Sequence, residues 1–176
     1  IVPGEVDLAG AEVEIAQAQH PILCLRQSLA NTMDSLVYDY ILIDCPPSLG
    51  ILTMNALAAS DSLVIPMQCE YYAMEGLGQI LSVIEKLREA GANRSLEIGG
   101  IVMTMYDART NLSKQLVEEV RQHFPELIFK TSIPRSIRLS EAPSFSKSIF
   151  QYDPSGPGAI AYKHLSFEVI DRFSLK

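Results

Sequence analysis

The stretch YDYILIDCPPS, residues 38–48, restricts the fold of this chain more than any other part of the sequence. Apolar side chains fill consecutive positions, and the run ends at one carboxylate, Asp44. A strand that is apolar on successive positions has both faces covered, as in a parallel sheet between layers of helices. Pro46 and Pro47 end such a strand, because proline fixes φ and has no amide hydrogen. The stretch therefore predicts a buried strand over Tyr40–Asp44 that delivers one charge to its carboxyl end.

The rest of the chain alternates between helical and strand patterns. Helices are predicted over 6–19, 21–36, 49–59, 71–90, 111–124 and 159–173, and strands over 62–67, 98–105 and 127–133, with a short edge piece at 148–152. Gly91 is a C-terminal stop signal for the helix over 71–90. In the last helix, Leu165, Val169 and Phe173 form a stripe that is predicted to pack on the sheet. This order is typical of a doubly wound, mostly parallel α/β sheet with helices on both faces. We predict one α/β domain over residues 1–176.

Composition limits the classes of function. The net charge of −7 argues against a generally basic nucleic-acid binder. Residues 107–147 nevertheless carry seven bases against five acids, a pattern that ordinary solvated faces explain as well as a polyanion site does. The sequence shows neither an apolar run of membrane-spanning length nor a secretory signal pattern. Three cysteines without metal-ligand spacing predict reduced, buried thiols in an intracellular protein.

Asp44 is the first candidate for chemistry, because ligands of open parallel sheets bind at the carboxyl ends of the strands. A bare carboxylate there needs a cation or several hydrogen-bond donors. One interpretation is a Walker-B-type strand whose aspartate holds Mg²⁺ directly or through water. The other is that Asp44 caps the following helix, where Ser48 also offers a donor or cap. The residues alone favour the two interpretations equally.

Several longer segments resemble the ParA/Soj partitioning ATPases, deviant-Walker relatives of the MinD group. They occur in the family's order and spacing: YDYILIDCPPSLGILTMNAL, PMQCEYYAMEGLGQ, TMYDARTNLSKQ, and SIPRSIRLSEAPSFSKSI with the YDPSGPGAIAY that follows. The likeness runs through nearly the whole chain, whereas IDCPP alone is shared with the wider superfamily. It implies a P-loop NTPase-like fold and a bacterial protein of the cytoplasm and nucleoid that segregates chromosomes or plasmids. In that family ATP and Mg²⁺ close a homodimer, the dimer binds DNA without sequence preference, and a ParB-like centromere-binding partner stimulates hydrolysis.

The resemblance also implies roles in nucleotide binding. Asp44 matches the residue that organises Mg²⁺ at the triphosphate, and no other residue of the chain is assigned to catalysis. A switch-like turn is matched by Pro46, Pro47 and Ser48. Glu70 matches a residue near the dimer interface, where two subunits enclose two ATP molecules. The rim that faces adenine is matched by Met105, Pro134 and Arg135.

Arg109 and Arg138 match basic residues that the family uses to bind DNA. Guanidinium groups on one surface meet phosphates, and such binding weakens with salt. The alternative is local pairing, of Arg109 with Asp107 and of Arg138 with Glu141. Both interpretations remain open at this point.

The family's phosphate-binding loop, a glycine-rich turn ending in Gly-Lys-Thr, does not occur in residues 1–176, where no lysine follows a glycine. We expect that loop and the first strand to lie before Ile1, which leaves the α/β domain incomplete at its N-terminus. Without the loop no lysine neutralises the β- and γ-phosphates. The family hydrolyses ATP, but residues 1–176 alone are expected to be inactive. The alternatives are a truncated, non-catalytic homologue or dimerisation fragment and, less favoured, a membrane-cycling MinD-like ATPase; no membrane partner is expected.

Overall fold

The computed structural model describes residues 8–33 and 38–174. Its elements, in chain order, are α1 (Leu8–Ala16), α2 (Cys24–Met33), α3 (Ile51–Ala59), β1 (Ser62–Gln68), α4 (Ala73–Glu89), β2 (Glu97–Thr104), α5 (Asn111–His123), α6 (Ile137–Glu141), a 3-10 helix (Ala142–Phe145), α7 (Ile149–Tyr152) and α8 (Pro157–Phe173). Among these helices, none combines the length and apolar character needed to cross a bilayer.

The described residues fall into two compact units. The first unit draws on residues 1–62 and 81–97, and the second on residues 63–80 and 98–176. That the whole chain is a single domain stays a prediction.

The two strands confirm the predicted α/β class with a parallel sheet. Near the start of both strands, Glu97 donates its backbone N–H to Asp61 O at 3.0 Å. Near their ends, Cys69 donates to Thr104 O at 2.9 Å. Because starts pair with starts and ends with ends, β1 and β2 run parallel. In the described part of the chain the sheet is two-stranded.

The strand predicted over Tyr40–Asp44 is wrong. The segment has no regular secondary structure, and both of its faces are open: Leu42 is 89 % exposed, with Tyr40 and Ile41 also at the surface. An apolar run favours a buried strand only where neighbouring strands supply backbone partners. Among the described residues no such ladder forms along this segment.

The strand predicted over residues 127–133 is also wrong as a regular strand, although the segment does run beside β2. Two single-residue parallel bridges join them, Ile101 with Ile128 and Tyr106 with Pro134. The chain between the bridges is irregular, because its central amides bond to α8 instead of to β2.

The piece at 148–152, predicted as an edge strand, is the helix α7. A capping box begins it: the backbone N–H of Ser148 donates to Gln151 Oε1 at 3.2 Å, while the Ser148 side chain bonds the backbone of that turn. Such a reciprocal pair satisfies two amides that a short helix leaves without partners. The local Ser-x-x-Gln signal therefore sets a helical turn where an edge strand was predicted.

The ends of α4 and α5 follow local sequence signals, whereas α1 ends at Ala16 instead of 19 and α2 begins at Cys24 instead of 21. The long helix α4 ends before Gly91, whose φ of 74° lies in the left-handed region that favours glycine. Thr110 caps α5 by accepting a hydrogen bond from Ser113 N at 3.3 Å. The last helix, α8, begins at Pro157, two residues before its predicted start at residue 159.

The stripe on α8 packs as predicted. Its members Leu165, Val169 and Phe173 lie against a buried cluster formed by Val102, Phe129 and Ile133. Arg172 adds a polar anchor, donating to Gly99 O at 3.0 Å and to Leu127 O at 2.7 Å. Its guanidinium carbon lies 4.0 Å from the centre of the Phe129 ring. Apolar burial and a cation–π contact thus fix the same helix.

Two buried asparagines organise the first unit. Asn55 accepts from Leu25 N at 3.1 Å and donates to Pro21 O at 2.8 Å, which ties α3 to the start of α2. Asn93 donates to Leu57 O at 2.9 Å and to Ser60 O at 2.7 Å, which closes the C-terminal end of α3. Burial of these amides is tolerated because their polar atoms have partners.

Glu168 fastens α8 to the irregular segment 127–133. Its carboxylate accepts from Lys130 N at 2.8 Å and Thr131 N at 2.9 Å, and from the Thr131 hydroxyl. Burial acts to raise the pKa of Glu168, but the hydrogen bonds from Thr131 and Lys130 outweigh burial and hold the pKa below its ordinary value of 4.5.

We expect Glu168→Gln to lower the free energy of unfolding by about 1 kcal/mol at neutral pH, since a neutral amide accepts these bonds more weakly. Because the folded pKa is depressed, the stabilisation is present above 4.5 and is lost as pH falls through the lowered pKa. Urea unfolding across this pH range should show the two proteins converging in acid. Glu85→Gln, at an exposed position of α4, is the control. A constant difference at all pH values would contradict the assignment.

Candidate functional site

The turn that follows Asp44 is held by α3. Thr53, buried in the first turn of that helix, donates its hydroxyl to Ser48 O and lies 3.5 Å from Pro46 O. The N-cap of α3 is Gly50, without a side-chain capping bond. Neither Asp44 nor Ser48 caps this helix, so the capping interpretation is wrong, and the predicted switch turn is tied to a helix by one hydroxyl.

The side chain of Asp44 is exposed, and its charge affects the pKa of the neighbouring Cys45 thiol. Partial desolvation of the sulfur first, and then the charge of Asp44, raises the pKa of the Cys45 thiol. The thiol therefore stays protonated and donates to Ile43 O at 3.8 Å. All three cysteines are free thiols, but Cys45 is exposed and Cys24 only half-buried, so the prediction of burial holds for Cys69 alone.

The surroundings of Asp44 fit Mg²⁺ in one limited way. Within the described residues, no cluster of three histidines, cysteines or carboxylates could form a protein cage for a metal ion. Mg²⁺ is typically bound through one or two carboxylates together with phosphates and water. A single exposed carboxylate fits that second arrangement.

In the second unit, three predicted residues come together at the end of β2. Tyr106 donates its N–H to Ile133 O at 3.0 Å and accepts from Arg135 N at 2.9 Å, which places Met105 beside Pro134 and Arg135. Met105 has a φ of 54°, a left-handed conformation uncommon outside glycine. Strained residues of this kind cluster at functional sites. Asp44 belongs to the other unit.

Glu70 follows β1 in a tight turn, where its N–H donates to Gln68 O at 2.9 Å. It lines an apolar groove of about 480 Å³ together with Ile65, Met67, Tyr71, Leu77 and Ile80. The neighbouring rings of Tyr71 and Tyr72 are exposed and meet edge to face, with centroids 5.2 Å apart.

Arg109 makes the local pair that the sequence left open. Its Nε donates to Asp107 Oδ1 at 2.9 Å and its Nη2 to Oδ2 at 2.7 Å. The hydrogen bonds from the Arg109 side chain and backbone hold the pKa of Asp107 well below its usual range. The Arg109 side chain is still 88 % exposed. Ion pairs at such exposed positions are weak because water screens them, so a phosphate is able to compete for this guanidinium.

Arg138 also pairs locally, with Glu141 at 3.3 Å, and it contacts the Tyr152 hydroxyl at 3.4 Å. The hydroxyl donates to Glu141 Oε2 at 3.0 Å. Phe145 stacks on the Tyr152 ring, with centroids 5.1 Å apart. The sequence analysis missed both aromatic residues, because they lie on separate short elements that share no periodicity.

Comparison with known proteins places the chain in a family. A family model described as AAA domain matches residues 1–98. The chain is 50 % identical to the sporulation initiation inhibitor protein Soj of Bacillus subtilis over 96 % of its own length and 66 % of that protein. It is 48 % identical to the chromosome partitioning protein ParA of Myxococcus xanthus, over 98 % of the chain and 60 % of that protein. The chain belongs to the ParA/Soj family.

A solved structure shares the fold of this chain. Cobyrinic acid a,c-diamide synthase from Mycobacterium smegmatis, with bound ADP and magnesium, is 31 % identical and superposes with a TM-score of 0.76. The match covers 97 % of this chain and 61 % of that one. The P-loop NTPase-like α/β class is thereby confirmed. The chain spans 60–66 % of the length of the two curated ParA/Soj relatives.

Proposed function

We propose that this protein is an ATP-dependent partitioning protein that segregates bacterial chromosomes or plasmids. The observation that carries the proposal is the 45–50 % identity with curated Soj and ParA proteins along nearly the whole chain. ATP and Mg²⁺ drive homodimer formation, the dimer binds DNA of the nucleoid without sequence preference, and a ParB-like partner stimulates hydrolysis.

The nucleotide-binding part of the proposal rests on the residues that match the family's nucleotide site. Asp44 contacts Mg²⁺ directly or through water, and the turn held by Thr53 reports on the state of the nucleotide. Met105 and the adjoining Pro134 and Arg135 line the adenine, where apolar and backbone groups suit a purine. Glu70 lies near the dimer interface. Support comes from the relative that holds ADP with magnesium.

The second candidate is a truncated, non-catalytic homologue or dimerisation fragment, and it differs from the first in lacking a Gly-Lys-Thr phosphate-binding loop. Lysine in a phosphate-binding loop neutralises the β- and γ-phosphates, and residues 1–176 supply no such group at a glycine-rich turn. ATP hydrolysis by the gene's whole product decides between the two candidates. Hydrolysis supports the partitioning ATPase, and its absence supports the non-catalytic homologue or fragment.

The DNA side of the proposal uses Arg109 and Arg138, two exposed guanidinium groups of the second unit. Each is held by a nearby carboxylate, which fixes its position. A phosphate that displaces this partner gains a charge-assisted hydrogen bond and releases a counterion.

We expect Arg109→Ala and Arg138→Ala each to weaken binding to a random-sequence duplex about 3- to 10-fold and to reduce the slope of log affinity against log salt by about 1. Fluorescence anisotropy with ATP and Mg²⁺ measures both quantities. Arg121→Ala is the matched control, because Arg121 is an exposed arginine paired with Glu118 three residues away, as Arg138 is with Glu141. Unchanged affinity and slope in both variants would contradict the assigned surface.

A further inference from the structure

The surface around Arg138 carries an exposed aromatic ring that phosphate contacts do not explain. Phe145 is 60 % exposed. Single exposed apolar side chains are common, so exposure alone marks no site, but this ring stacks on Tyr152 beside the guanidinium of Arg138. The ring is therefore a candidate for contact with something other than phosphate.

This ring is held rigidly. The planes of the Phe145 and Tyr152 rings make an angle of 25°, and the two ring centroids are 5.1 Å apart. Tyr152 is fixed in turn by its hydrogen bond to Glu141 and by Arg138, whose guanidinium carbon lies 5.8 Å from the ring centre. A fixed aromatic pair with one ring mostly open offers a flat apolar surface at little cost in conformational entropy.

The charge of this region favours a polyanion. Between residues 127 and 153 the acids are Glu141, which is bonded to Arg138 and Tyr152, and Asp153, whose charge also acts on Arg138. The bases of the same stretch are Lys130, Arg135, Arg138 and Lys147. In a chain of net charge −7 this local excess of cations complements the phosphates of a nucleic acid.

We propose that Phe145, supported by Tyr152, is a stacking platform for an unpaired base, so that the protein binds single-stranded DNA as well as duplex. Aromatic side chains next to a basic track bind single strands in this way, since every base has a face that stacks. In a duplex the bases are already stacked, so Phe145 contributes little there and the arginines dominate. The inference rests on the proposed DNA binding and adds a second class of DNA to it.

The test compares two labelled probes, an oligothymidylate of about 20 nucleotides and a random duplex of the same length. Affinities are measured by anisotropy with ATP and Mg²⁺ on the full chain. Phe145→Ala should weaken binding to the single strand about 5- to 10-fold and leave duplex binding within about 2-fold. Phe145→Trp should retain single-strand affinity. Phe167→Ala is the matched control, because Phe167 is 58 % exposed on α8.

The outcomes separate this inference from the proposed function. If the wild type binds duplex but Phe145→Ala leaves single-strand affinity unchanged, the platform is overturned and the partitioning proposal stands. If the wild type binds neither probe, the result contradicts both the stacking platform and the proposed function. Anionic phosphatidylglycerol vesicles form a third arm: loss of vesicle binding in Phe145→Ala, with single-strand binding intact, would assign the ring to a membrane and overturn the platform.

Discussion

Replacing Gly100 with alanine is expected to lower the free energy of unfolding by about 3 kcal/mol, near the upper end of overpacking effects. A Cβ added at Gly100 would lie 2.3 Å from Phe129 Cε2 and 2.5 Å from Arg172 Nη1. Arg172 is long and flexible, but Phe129 is one of the largest fully buried side chains. Because the core around it is close-packed, its ring has no free space to move into.

The substitution also separates α8 from its support. Arg172 reaches past Gly100 to bond Gly99 O and Leu127 O, so a shift of the guanidinium weakens two hydrogen bonds and the cation–π contact with Phe129. The glycine is therefore required by a close approach of side chains, since its own φ is not in the left-handed region.

Thermal unfolding provides the measurement, with an expected decrease in Tm of roughly 6–12 °C for a chain of this size. Gly78→Ala is the control, because no atom lies within 4 Å of an added Cβ at that exposed position of α4. There the helix propensity of alanine should stabilise the protein by up to about 1 kcal/mol. Equal stability of Gly100→Ala and the wild type would show that the ring of Phe129 relaxes freely.

The longer helices were predictable because their signals are local, whereas the short helices α6 and α7 and the 3-10 helix were not predicted. The stripe of α8, the stop at Gly91 and the cap at Thr110 each depend on residues within a few positions of one another. The arginine pairs were foreseeable for the same reason, since Arg109 and Asp107 are two residues apart and Arg138 and Glu141 three.

The strands were harder to predict because a strand depends on distant partners. Residues 40–44 have the composition of a buried strand, yet in the described structure their backbone pairs with no neighbouring strand. The segment 127–133 has β2 beside it, but Glu168, which lies 37 residues beyond Thr131, takes its central amides. No periodicity in either segment encodes these long-range competitors.

In the candidate site, too, residues with a local sequence signal were predicted, and residues that only folding brings together were not. Asp44 stood out because a single charge ends an apolar run, and the switch turn because two prolines follow it. The cluster of Phe145, Tyr152 and Arg138 did not, because its members come from the 3-10 helix, α7 and α6 and meet only in three dimensions. The left-handed φ of Met105 was equally hidden, since no local sequence signal marks it.

Replacing Asp44 with alanine is expected to reduce Mg²⁺-dependent ATP hydrolysis by the gene's whole product roughly 100-fold or more, because the metal supplies several kcal/mol of charge stabilisation in phosphoryl transfer. Asp44 is exposed and caps no helix, so its removal is not expected to unfold the protein. The loss should therefore appear in activity, while the Tm stays within about 2 °C of the wild type.

Two further measurements tie that loss to the metal. Asp44→Asn keeps the size of the side chain and removes its charge, so this variant should require a higher Mg²⁺ concentration for its half-maximal rate. Asp39 is an exposed carboxylate in the same segment, and Asp39→Ala should behave as the wild type. Binding of a fluorescent ATP analogue should become insensitive to Mg²⁺ in Asp44→Ala, because the carboxylate that joins metal to protein is gone. Full hydrolysis by Asp44→Ala would remove this residue from the metal site and return the end of the IDCPP segment to a purely structural role.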